Sequence, residues 1–75
     1  MSTKLNWRSI IKETVEKFKR YSIPDPISST EFILANVLNC KRADLLLRLD
    51  EHPKEDEMER FNNLVSRRLK REPLQ

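Results

Sequence analysis

The stretch STEFILANVLN, residues 29–39, decides the fold of this chain. Its apolar residues fall at almost every position rather than along one stripe: Phe32, Ile33, Leu34, Ala35, Val37 and Leu38. A helix that is apolar around most of its circumference has to be covered on several sides. We therefore predict that this helix lies at the centre of the domain and that the rest of the chain packs around it.

Polar residues and prolines mark the two ends of this central helix. The two prolines within residues 24–26 stop the preceding segment, and either Asp25 or the hydroxyl cluster that starts at Ser28 can begin the helix. Ser28 and Glu31 have the spacing of a capping box. Asn39 tolerates the left-handed conformation, so we expect the helix to end there.

The segment before the prolines has the pattern of an amphipathic helix. Asn6 can cap it by accepting hydrogen bonds from the first turn. Its apolar positions recur at helical spacing: Trp7, Ile10, Ile11, Val15, Phe18 and Tyr21. Because the aromatic residues lie on this apolar stripe, we interpret them as core residues rather than as a surface that stacks on nucleic-acid bases.

Two more helical segments follow the central helix. Residues 42–49 contain four leucines, which predicts two or three helical turns packed against the central helix: Leu45, Leu46, Leu47 and Leu49. After a polar connection, residues 54–71 repeat the amphipathic pattern with an inward face: Met58, Phe61, Leu64, Val65 and Leu69. The sequence thus predicts an all-α fold, a small bundle of four to five helices.

The composition excludes several classes of site. The 75 residues include no glycine, which removes the glycine-rich loops that hold phosphates or dinucleotides. One cysteine, Cys40, and one histidine, His52, cannot form a disulfide framework or a four-ligand zinc site. We interpret Cys40 as a buried or half-buried structural thiol. With no apolar run of membrane length and no pairing of a nucleophile with a base, we expect a cytoplasmic domain without catalytic, cofactor or metal residues of its own.

A basic cluster closes the last helix, which begins with acidic residues. This charge order complements the helix macrodipole, so it needs no ligand to explain it. Helical geometry directs Arg68 along the edge of the core, where its stem packs and its guanidinium reaches a partner. The other three basic residues point away from the apolar stripe and are the candidate partner-binding residues: Arg67, Lys70 and Arg71.

The sequences STEFILANVLNCKRADLL, residues 29–46, and FNNLVSRRLKREPLQ, residues 61–75, resemble the N-terminal domain of the HemK (PrmC) family of release factor glutamine methyltransferases. Departures from the family pattern occur at Ser29, Thr30, Asn39 and Arg71. The matching positions are Glu31, Leu34, Leu38, Arg42 and Leu45 in the first stretch, and Arg68, Glu72, Pro73, Leu74 and Gln75 in the second.

This resemblance implies that two domains have different roles. Residues 1–72 would form a helical substrate-recruiting domain, and residues 73–75 would begin the linker to a catalytic α/β domain. Arg68, Glu72, Pro73 and Leu74 would lie at the junction between the two domains. The whole enzyme would use S-adenosylmethionine to methylate the glutamine of the Gly-Gly-Gln loop in peptide chain release factors. The chain alone would be inactive, with the release factor and its own downstream catalytic domain as partners.

Two other functions remain open from the residues alone. A free-standing nucleic-acid-binding domain would use Arg67, Lys70 and Arg71 on phosphates, but the net charge of +3 is modest and no base-reading helix stands out, so we regard nucleic acid as an unlikely partner. A helical adaptor for another protein is the third interpretation. No membrane partner is expected.

Overall fold

The computed structural model describes residues 5–70, and this part of the chain contains four helical segments and no strand. The prediction of a small all-α bundle is confirmed. The three α-helices and the short 3-10 helix follow one another in the order α1, Trp7–Arg20; α2, Pro26–Leu38; the 3-10 helix, Arg42–Leu47; and α3, Glu55–Leu69.

The start of α1 is tied both to its own cap and to the connection before α3. The side chain of Asn6 accepts a hydrogen bond from the third helical residue at 3.0 Å, which confirms the predicted cap. Two further N–H groups of the first turn donate to distant carbonyls, Trp7 to Glu51 at 3.0 Å and Arg8 to Leu49 at 2.9 Å. Since a helix start leaves such groups without intrahelical partners, these contacts stabilise α1 and fix its position.

Helix α2 is the central element, as the sequence predicts, and both α1 and α3 pack against it. The hydroxyl of Thr30 is fully buried and donates to the carbonyl oxygen of Pro26 at 2.8 Å, so this polar side chain is satisfied inside the core. Coverage of α2 is incomplete, because Ile27 is 55% exposed and Phe32 is 46% exposed. The buried apolar residues of α2 are Ile33, Leu34, Val37 and Leu38.

The two ends of α2 use left-handed residues. Asp25 precedes the helix with φ of 50°, and Asn39 follows it with φ of 55°, which confirms the predicted end at Asn39. The capping box expected from Ser28 and Glu31 is wrong, because Ser28 already lies inside the helix that begins at Pro26. Glu31 instead pairs with Arg42 at 2.6 Å, which links α2 to the 3-10 helix.

The leucine-rich segment packs against α2, as predicted, but not all of its leucines are buried. Leu45 is buried at 4% exposure, whereas Leu46 and Leu47 are 77% and 81% exposed. The segment is a 3-10 helix with three residues per turn, so consecutive leucines point in three directions and only one of them faces α2. Leu49 is half-buried against the core.

The core joins all four helical segments. Trp7 and Phe18 are fully buried, as predicted, and the ring of Trp7 lies 5.3 Å from that of Phe61 with an angle of 59° between the planes. Tyr21 is 55% exposed, contrary to the prediction, because α1 ends at Arg20 and the chain turns there. The inward face predicted for α3 is confirmed: Phe61 and Val65 are buried, with Met58, Leu64 and Leu69 partly buried beside them. No helix in residues 5–70 is long and apolar enough to cross a membrane.

Candidate functional site

A groove of about 620 Å³ lies between α1 and α3. It exists because both helices pack on α2 rather than along each other. Its floor is apolar and belongs to the core, with Ile10 on one side and Phe61 and Val65 on the other. The volume is in the range of about 300–1,000 Å³ that is typical of ligand-binding clefts. A wider depression of about 830 Å³ adjoins it at the start of α3.

The rim of the groove is polar along the helices and closed at one end by a loop contact. Glu13 and Lys17 line it from α1, and Asn62 lines it from α3. At the end, Nδ1 of His52 lies 3.2 Å from the carbonyl oxygen of Leu5. Because a carbonyl oxygen only accepts, Nδ1 carries the proton in this contact. His52 is therefore a structural residue that holds the segment before α1 against the connection to α3.

A second concavity continues the groove along the first two turns of α3. It shares Pro53, Met58 and Asn62 with the groove, so the two depressions are direct neighbours. Its remaining lining residues are mostly acidic: Lys54, Glu55, Asp56 and Glu59. From the sequence alone, acidic residues at the start of α3 are accounted for by the helix macrodipole. What the sequence did not reveal is that they border an apolar groove, since that depends on where α1 lies.

Not all acidic residues at the start of α3 face this concavity. Glu57 accepts a hydrogen bond from the N–H of Lys54 at 2.9 Å and so satisfies a backbone donor at the helix start. Glu57 therefore has a structural role. The other three carboxylates, of Glu55, Asp56 and Glu59, line the concavity and are exposed. We refer to these three residues as the acidic rim.

The predicted partner-binding residues lie at the other end of α3. Arg67 and Lys70 are exposed, and Arg68 is half-buried. The Nε atom of Arg68 is buried and has no acceptor among residues 5–70, so its stem packs as expected while its partner is not found there. The other predicted residues, Arg71, Glu72, Pro73 and Leu74, lie outside the described residues. The roles assigned to all seven residues stay predictions.

No group of three or more His, Cys, Asp or Glu within residues 5–70 is arranged to hold a metal ion. Cys40 is a half-buried thiol that packs against the core, as predicted. The hydrogen bond that Nε of Arg48 donates to Oε1 of Glu51, at 2.9 Å, raises the pKa of Arg48. Such a pair belongs to the scaffold of the loop before α3.

Comparison with known protein families shows which family this chain belongs to. The profile of the PrmC N-terminal domain matches residues 9–75, which covers all three α-helices apart from the first two residues of α1. The chain belongs to the PrmC N-terminal domain family. The resemblance drawn from residues 29–46 and 61–75 is thereby confirmed.

Two curated relatives agree with this assignment. A protein named bifunctional methyltransferase from Rickettsia conorii is 33% identical over 67 residues, which is 89% of this chain and 13% of the relative. A protein named release factor glutamine methyltransferase from Fusobacterium nucleatum is 33% identical over 67 residues, which is 88% of this chain and 19% of the relative. The chain thus spans less than a fifth of the length of these relatives. No solved structure matches it significantly.

Proposed function

We propose that this chain is the substrate-recruiting domain of a protein that methylates the Gly-Gly-Gln glutamine of peptide chain release factors. The match to the PrmC N-terminal domain over residues 9–75 is the observation that carries this proposal. A relative named release factor glutamine methyltransferase, 33% identical over 67 residues, supports the substrate class. In this proposal methyl transfer itself belongs to a downstream catalytic domain.

The methyl donor S-adenosylmethionine does not fit the residues of this chain. Sites for such nucleotide-derived cofactors rely on glycine-rich turns that follow a strand. This sequence contains no glycine, and residues 5–70 form no strand. We assign the cofactor to the catalytic domain and derive no step of the reaction from the residues described above.

A recruiting domain contributes to catalysis by holding its client close. When a second contact tethers the release factor, the binding of its glutamine loop to the catalytic domain becomes effectively intramolecular. With a short linker, the effective concentration of the loop at the catalytic domain reaches the millimolar range. The overall avidity then rises about 10²–10⁴-fold. We assign this contact to the α1–α3 groove, because it is concave and presents the apolar side chains of Leu5 and Met58 between two polar rims.

A binding experiment tests this role directly. Isotope-labelled chain is titrated with purified release factor, and backbone amide shifts are followed by NMR. We expect saturable, weak binding, because a single small surface buries less area than a stable complex needs. The same chain titrated with S-adenosylmethionine should show no saturable shift.

An activity comparison separates recruitment from catalysis in the whole enzyme. Removal of residues 1–70 should lower kcat/KM for the intact release factor while leaving kcat/KM for a short peptide with the Gly-Gly-Gln loop nearly unchanged. The peptide serves as the matched control because it cannot reach the helical domain. An equal loss for both substrates would contradict recruitment and indicate a role in folding of the catalytic domain.

A further inference from the structure

We propose that the α1–α3 groove and the acidic rim together bind an amphipathic segment of the protein partner, with apolar side chains in the groove and a basic side chain on the rim. This inference rests on the proposed function, because it takes the partner to be a protein. It adds the face of the domain that the partner contacts and the chemistry of the segment that fits it.

The accessible apolar surface of the site comes from exposed Leu5 and half-buried Met58, which line the groove. Ile10, Phe61 and Val65 form the buried floor beneath these side chains, and Met58 extends the apolar surface towards the second concavity. Thr14 also lines the groove, but its hydroxyl donates to the carbonyl of Ile10 at 2.8 Å and so presents no free donor. Since the floor offers few polar groups, it favours apolar side chains of a partner over a polar ligand.

The charged half of the site has the opposite sign to the chain as a whole. The acidic rim places three carboxylates beside one lysine, Lys54, whereas the chain carries a net charge of +3. Glu55 and Glu59 are one turn apart on α3 and therefore lie on the same side of the helix. A cationic side chain placed there is attracted, and an acidic or phosphate group is repelled.

The apolar groove and the acidic rim lie side by side, which favours a single extended ligand that contacts both. Pro53, Met58 and Asn62 line both depressions, so a segment that fills the groove has the acidic rim directly beside it. A helical ligand with apolar residues at i, i+3 and i+4 matches this arrangement of apolar floor and charged edge. Nucleic acid does not fit, because its phosphates would face the three carboxylates.

The experiment uses three probes against the labelled 75-residue chain. The first is purified release factor. The second is a synthetic amphipathic helix with a leucine stripe and lysines on the polar face, and the third is the same helix with glutamates in place of the lysines. We expect the release factor and the lysine peptide to shift amides of the groove and the acidic rim, and the glutamate peptide to bind at least about tenfold more weakly at low salt.

Two pairs of variants separate the apolar and charged contributions. Asn62 and Asn63 are adjacent exposed residues of α3, but only Asn62 lines the groove. Asn62→Trp should therefore block binding, and Asn63→Trp is the matched control that should bind normally. Glu59→Lys should weaken binding of the lysine peptide about two- to fivefold, the effect of losing a surface charge contact. Glu16→Lys, on α1 outside the groove, should have little effect. Circular dichroism establishes that each variant is folded.

Each outcome decides the inference. Groove shifts that disappear in Asn62→Trp but persist in Asn63→Trp support it. Release factor shifts confined to Arg67 and Lys70 would overturn it while leaving the proposed function intact. Binding of the lysine peptide in the groove without any binding of release factor would support the site and refute the proposed partner. Equal affinity for the two peptides would overturn the role of the acidic rim.

Discussion

The contact between Trp7 and Phe61 provides the sharpest test of how the bundle holds together. The two rings lie 5.3 Å apart at 59°, and both residues are essentially fully buried. They join the start of α1 to the middle of α3, two helices that otherwise pack mainly on α2. We predict that Trp7→Phe and Phe61→Leu are coupled, because each removes part of one shared ring contact.

The magnitudes follow from the chain length and the type of contact. A 75-residue domain at about 0.05–0.15 kcal/mol per residue has a free energy of unfolding of about 4–11 kcal/mol. Phe61→Ala would lower the free energy of unfolding by about 3–5 kcal/mol, enough to unfold a domain at the lower end of this range. We therefore choose the milder Phe61→Leu, which should lower it by about 1.5 kcal/mol. Trp7→Phe also deletes an Nε1–H that is buried without an acceptor in residues 5–70, which offsets part of its cost.

The assay is urea unfolding followed by circular dichroism at 222 nm on the wild type, the two single variants and the double variant. With a slope of about 1 kcal/mol/M, a loss of 1.5 kcal/mol lowers the midpoint by about 1.5 M. We expect a coupling free energy of about 0.5–1.5 kcal/mol, the usual range for aromatic pairs.

A parallel cycle serves as the control for this coupling. Val65→Ala removes a buried side chain one turn along α3 that is not part of the ring pair. Combined with Trp7→Phe, it should be additive within about 0.5 kcal/mol. If the Trp7 and Phe61 substitutions are also additive within about 0.3 kcal/mol, the ring contact does not stabilise the domain and the reasoning is refuted.

Three further predictions concern individual positions, each checked by the midpoint of urea unfolding. Asn6→Ala should lower the free energy of unfolding by about 1 kcal/mol through loss of the helix cap, and Asn6→Asp should retain it. Asn39→Ala should lower it by about 1–2 kcal/mol because φ is 55°, whereas Asn39→Gly should not; equal effects would contradict the left-handed end. Leu45→Ala should remove about 2–5 kcal/mol, and the exposed Leu46→Ser should change stability by less than about 0.5 kcal/mol.

The sequence predicted the helices because their signals are local. The apolar run of α2, the stripes of α1 and α3 and the cap at Asn6 depend on residues within a turn or two of one another, so they can be recognised without tertiary structure. The same holds for Asn39, whose left-handed conformation follows from its side chain. The family resemblance, which also rests on linear order, was confirmed over residues 9–75.

Direction in space, rather than local pattern, decided the positions that the sequence left open or predicted wrongly. Leu46 and Leu47 belong to an apolar run, but the 3-10 turn directs them away from α2. Tyr21 continues the stripe of α1 in sequence, yet the helix ends one residue earlier. In each case the spacing was compatible with burial, and only the position of the neighbouring helix determined whether a side chain had anything to pack against.

The sequence by itself determined the class of fold, the central place of α2 and the family, since all three follow from the order of apolar and polar residues along the chain. Only the tertiary structure decided the groove and its acidic rim. Both depend on α1 and α3 packing on α2 and leaving a gap between them, an arrangement that involves residues about 50 positions apart and that no local periodicity encodes.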